Sequence, residues 1–159
     1  AFHTIGTEPP TRFEDASFDA VYAYSVFSHL PEPLHLAWLA ELRRITRPGG
    51  VVVLTVHGRR VVEEIVTERA LAGARTAARL RPLVATLESA GFAFVPYEKL
   101  TLTHGENTSF FEAWDLDRYG DAFILEPYVR RRWSEFFEDV AHLEAPEEWQ
   151  DYVVLRRRP

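Results

Sequence analysis

Hydrophobic residues in the segment Phe18–Val26 (FDAVYAYSV) fall on both faces of an extended chain. Phe18, Ala20, Tyr22 and Tyr24 lie on one side, Val21 and Ala23 on the other. Such a run predicts a parallel strand covered on both sides. Leu34, Trp38, Leu42 and Ile45 then follow helical spacing, with Pro33 in the first turn and Glu41 within reach of Arg44 or Arg47. The RPGG that follows is read as the helix stop, because glycine tolerates the left-handed conformation of a helix end. VVVLTV (51–56) is a second buried strand ending at His57 and Gly58. Strand, helix, strand predicts two parallel neighbours joined by a right-handed crossover.

The flanks are read the same way. AFHTIG (1–6) predicts a short strand, and TEPPTRFEDAS a loop, since Pro9 and Pro10 block helix and ladder. A helix is expected over Arg59–Ala90, broken near Pro82 and ended by Gly91, followed by a short FAFVP strand. Residues 97–125 are polar and aromatic without clear periodicity. A short helix over Glu126–Trp133 and two strands in FFEDVAHLE and DYVVLRRR complete the chain. No internal repeat or linker divides it, so residues 1–159 are expected to form one domain.

Composition narrows the chemistry. The chain has 159 residues, 47% of them hydrophobic, enough for one core. A net charge of −6 argues against nucleic acid as partner, because phosphate binding needs a basic face. With no cysteine there is no disulfide, thiolate metal site or cysteine nucleophile. No His/Asp/Glu set has metal-ligand spacing, so no metal is expected. No apolar run reaches membrane-spanning length and no signal-peptide pattern opens the chain, so no membrane partner is expected and the default compartment is the cytoplasm.

The first strand ends on small polar groups, Ser25, Ser28 and His29. These either satisfy backbone groups where the strand frays or let a ligand approach the backbone. The combination FDAVYAYSVFSHLPEP, a helix with WLAELRRITRPGG, then VVVLTVHG resembles the central part of class I S-adenosylmethionine (SAM)-dependent methyltransferases. YVRRRWSEFFEDV and QDYVVLRRR resemble their closing elements. The resemblance implies an α/β, Rossmann-like, mostly parallel sheet with an antiparallel last strand, and SAM as cofactor. It also implies departures. The glycine-rich cofactor loop and the ribose carboxylate have no match among these residues, and AFHTIG corresponds to the third strand, so the first two strands are missing. The chain is therefore expected to be the C-terminal two thirds of an enzyme, weak in SAM binding by itself.

Carried over, Tyr24, Ser25 and Val26 line the cofactor's sulfonium end with His29 at the rim. Thr7 and Glu8 lie on the adenine side, Thr7 standing where the family usually has aspartate. Residues 97–125 are the expected substrate cap, with Trp114 and Tyr119 as substrate contacts. His57, at the next strand's carboxyl end, either caps that strand or takes a proton from substrate near neutral pH. The expected reaction is methyl transfer to an oxygen or nitrogen of a small molecule or glycan. The alternatives are a non-catalytic methyltransferase-like module acting through a partner chain, or a dinucleotide enzyme, whose fingerprint is absent. Oligomeric state is not legible.

Overall fold

A computed structural model describes residues 2–64, 74–96, 118–145 and 149–159. Strand β1 (Phe18–Ala23) leads through a 3₁₀ turn (Phe27–His29) to α1 (Glu32–Ile45) and β2 (Thr46–Val56). Helix α2 (59–64), α3 (Ala74–Ala90), β3 (Phe92–Pro96) and β4 (Gly120–Ile124) follow. Then come α4 (Glu126–Arg132), a 3₁₀ turn (Trp133–Glu135), β5 (Asp139–Leu143) and β6 (Asp151–Arg156).

The main sheet has the order β1-β2-β6-β5. β1 and β2 are parallel, and β6 runs antiparallel to both β2 and β5, so β1, β2 and β5 share one direction. This is the mostly parallel α/β sheet with an antiparallel closing strand that the resemblance implies. β3 and β4 form a separate antiparallel pair, tied to the end of β2 by the Ile124 amide donating to the His57 carbonyl at 2.9 Å.

One face of the main sheet carries the core. Val52, Leu54, Val56, Val153 and Leu155 are fully buried against Leu39 and Leu42 of α1, Val129 of α4, and Trp133 and Phe137 beyond it. Each such side chain contributes roughly 1.5–3 kcal/mol by leaving water. Within this layer His35 (α1) sits in a cage of Phe27, Phe92, Tyr128 and Trp133. Its Nε2 lies 3.1 Å from the Tyr128 hydroxyl, which donates to Glu32 at 2.7 Å. Glu41, buried on α1, accepts from the Thr11 amide and hydroxyl and from Arg44, which pins the loop before β1 onto the helix.

Five expectations are corrected. Residues 2–6 form no strand, and Phe2 and Ile5 are exposed. β1 stops at Ala23 and, among the described residues, is covered mainly on one face, with Tyr22 59% exposed. RPGG is not the helix stop. α1 ends at Ile45, with Thr46 extended and its hydroxyl donating to the Leu42 carbonyl, and β2 begins at once. Arg47–Gly50 instead forms a bulge: Phe18 pairs with Thr46 but Ala20 with Val51, so β2 carries three extra residues there. Gly49 supplies the bulge's positive φ of 78°, and a Cβ on Gly50 would come within 2.8 Å of the Asp19 carbonyl. Pro82 lies inside α3 rather than breaking it: a proline removes one ladder bond, and at this exposed position the helix carries on through it. Within 97–125, residues 97–117 lie outside the described residues, and Gly120–Ile124 is a strand, which five residues without alternation did not announce.

Candidate functional site

The carboxyl ends of β1 and β2 lie side by side, and the chain leaves β1 through a left-handed residue, Ser25, with φ 55°. A non-glycine residue there is strained, and such strain persists only where surrounding contacts impose it. Those contacts form a ring. The Ser25 amide donates to Thr55 Oγ1 at 2.8 Å. The Thr55 hydroxyl donates to Gln150 Oε1 at 2.5 Å, and Gln150 Nε2 donates to Ser25 Oγ at 2.9 Å.

His29, at the end of the 3₁₀ turn, faces this ring. Its Nε2 lies 3.3 Å from Ser25 Oγ, and its Nδ1 donates to the Gly120 carbonyl at 2.9 Å. Asp121 Oδ1 lies 3.7 Å from that Nδ1. Tyr119 stacks on the ring, with centroids 5.2 Å apart at 21°. On another side stands His57, edge to face at 5.6 Å.

His57 is 5% exposed, and its Nδ1 has no partner among the described residues. Burial first, and the neighbouring His29 second, lower its pKa to about 4. Burial and then Asp121 push the Tyr119 phenol up. Beyond His57, Asp151 accepts from His142 at 2.9 Å and lies so close to Gly58 that a Cβ there would sit 1.8 Å from its Oδ2.

Of the residues expected from the sequence, Ser25, His29, His57 and Tyr119 are brought together. Tyr24 and Val26 flank Ser25 and are 53% and 40% exposed along β1's unpaired edge. Thr7 and Glu8 stand apart from the ring. The Thr7 carbonyl accepts from Trp38 Nε1 at 3.2 Å, and Glu8 pairs with Arg118, the residue before Tyr119. Trp114 lies outside the described residues. Thr55, Gln150 and Asp121 were not anticipated. Thr55 interrupts the aliphatic run VVVLTV, which is a readable signal, whereas Gln150 and Asp121 follow from topology alone. Among the described residues no cluster of three or more His, Asp or Glu is placed to hold a metal. A hollow of about 540 Å³ lined by Val51, Arg130, Ser134, Ala141, Val154 and Arg156 includes none of these site residues.

Residues 5–54, which carry β1, the Ser25 turn and α1, match a family described as a methyltransferase domain. The chain is similar in fold to a SAM-dependent methyltransferase from Methanosarcina mazei, with 15% identity and a TM-score of 0.53 over 94% of this chain and 63% of that one. It also overlaps a putative methyltransferase from Bacillus halodurans C-125, with 16% identity and a TM-score of 0.35 over 94% of this chain and 68% of that one. No curated protein matches the chain. The fold is therefore similar to that of a SAM-dependent methyltransferase. The family match is confined to residues 5–54, and the chain spans less than two thirds of the M. mazei protein's length.

Proposed function

We propose that this chain is the larger part of a SAM-dependent methyltransferase acting on an oxygen or nitrogen of a small molecule or glycan in the cytoplasm. The observation that carries the reading is the strained Ser25 turn, opening beside two histidines within the segment that matches the methyltransferase domain. Toward SAM, the described residues fit at one end. Ser25 is small, and exposed Tyr24 and Val26 leave the approach to the strand end open, so these three, with His29, are the residues to hold the methyl-bearing end. No glycine-rich cradle is among them, and Thr7 and Glu8 are the chain's residues for the adenine side. When bound, SAM supplies an electrophilic methyl group, and the protein's task is alignment and proton removal. Tyr119, stacked on His29, is assigned to the substrate side. Methylating oxygen or nitrogen releases a proton, and His57, held neutral by burial, stays an acceptor at neutral pH.

The test is transfer of radiolabelled methyl from SAM to a panel of hydroxyl- and amine-bearing small molecules and glycans by the protein that carries this chain. Transfer that falls about a hundredfold in His57→Ala, with SAM affinity nearly unchanged, supports the reading. Near-normal turnover of that variant removes His57 from the proton path, and absence of both SAM binding and transfer overturns the function. The uncovered face of the sheet favours a second reading, a non-catalytic module acting through a partner chain. That reading predicts a stable complex without SAM binding.

A further inference from the structure

We infer that Ser25 and His29 form a proton relay for the methyl acceptor and that Gln150 is the positioning residue that aims it. The inference rests on the methyl-transfer reading but replaces His57 with His29 as the proton's destination, so the relay expects His57→Ala to keep near-normal turnover and Ser25→Ala to lose it. With the Gln150 amide as it lies in the structure, the donors and acceptors around the ring form one consistent set. A carbonyl only accepts, so the bond to Gly120 requires a proton on His29 Nδ1, and in the neutral ring Nε2 must then be the acceptor. Thr55 Oγ1 accepts from the Ser25 amide, and its own proton goes to Gln150 Oε1. That turns the Gln150 amide nitrogen toward Ser25, where it fills one lone pair of Oγ. The hydroxyl proton of Ser25 is left for His29 Nε2.

Ser25 Oγ therefore has one lone pair that accepts nothing from the described residues, at a partly exposed strand end. An incoming O–H or N–H donates there. With SAM bound, the substrate atom would take the methyl group as the methyl–sulfur bond breaks and its electron pair returns to sulfur; the substrate proton passes to Ser25 Oγ and the Ser25 proton passes to His29 Nε2. Ser25 ends neutral, and the displaced proton rests on His29 as an imidazolium. The Gly120 carbonyl and the Asp121 carboxylate, 3.7 Å from Nδ1, stabilise that cation. No other acceptor of charge is needed. Thr55 and Gln150 touch neither substrate nor proton, and act only by holding the Ser25 hydroxyl in line.

Two measurements test this. In the histidine-¹⁵N-labelled chain, long-range ¹H–¹⁵N spectra at about pH 8.5, where an imidazole is neutral, should show His29 with its proton on Nδ1. Ser25→Ala should move its Nε2 resonance toward that of an unbonded nitrogen, and Gln150→Met should do so in part. A wild-type His29 protonated on Nε2 overturns the relay, while the methyl-transfer reading stands. In the methyl-transfer assay, Ser25→Ala and His29→Asn should lower kcat about a hundredfold, and Gln150→Met about tenfold, with KM for the acceptor little changed. Unchanged kcat in Ser25→Ala also overturns the relay. Gln150→Met that raises KM without lowering kcat would make Gln150 a binding residue and overturn its positioning role.

Discussion

The two faces of the main sheet differ more than their sequences suggest. On one, Val52, Leu54, Val153 and Leu155 are each fully buried under α1 and α4. On the other, the cross-strand row Tyr22, Val53, Val154 and Ala141, with Leu143 beside it, is half-buried or exposed, Leu143 to 54%. Among the described residues β1 is an edge strand of this sheet. A sheet whose strands run mostly parallel is normally covered on both sides, and a contiguous apolar patch of this kind marks a surface that binds something. The strands were written for two covers, of which the described residues supply one. The candidate site lies at the border between the covered and the exposed halves.

The largest expected contrast comes from placing the same charge on each face. Val153→Asp should unfold the chain or cost over about 4 kcal/mol, because a lone carboxylate would enter the dry layer. Val53→Asp should change the urea midpoint by the equivalent of about 1 kcal/mol or less. Equal losses in the two would erase the distinction between the faces.

Acid sharpens it next. Burial, with Arg132 second, lowers His35 to about 3, and His57 lies at about 4, both below the ordinary 6.5. Between those values and 6.5 the unfolded chain binds protons that the folded one refuses, so stability falls as pH falls through that window. The two together should cost on the order of several kcal/mol by pH 4. Thermal melts from pH 7 to 4 check it, and a flat melting temperature would mean that these rings are hydrated.

Gly58→Ala should cost about 1–3 kcal/mol by chemical denaturation, since its Cβ would overlap the Asp151 carboxylate. The smallest effect is expected from Leu143→Lys on the open face. It should leave the melting temperature within a degree or two yet reduce binding of a hydrophobic dye. Unchanged dye binding would place the sticky surface elsewhere.

The parallel pair, its helix and the closing strands were legible because their apolar spacing is long and regular. Trp38, Leu42 and Ile45 can bury together only on a helix, and VVVLTV only as a strand. The single cover of β1 was not legible. Apolar residues on both faces state what a strand can bury, not what arrives to bury it. β4 was missed because five residues without alternation take their strand from β3, where Gly120 lets the Val95 carbonyl approach to 2.2 Å of a would-be Cβ. At the site, Ser25, His29 and His57 could be picked as polar groups at strand ends. Gln150 lies 125 residues from Ser25, and nothing local announces such a meeting.

The bulge at Arg47–Gly50 has a consequence for how the gene can change. Gly49 and Gly50 are latched to Arg157, the amide of one and the carbonyl of the other each bonded at 2.9 Å, so the bulge is pinned to β6 as well as to β1. From that pin the chain counts residues like a ruler, Val51 beside Ala20 through Leu54 beside Ala23, and Thr55 arrives next to Ser25. Losing or gaining one codon between Gly50 and Thr55 would turn the side chains of β2 beyond it to the opposite face and take the hydroxyl away from Ser25. The same change in the loop before Phe18 would leave that count intact. Length in this short interval is therefore a heritable dimension of the site, as binding on the protein as the identity of any residue in it.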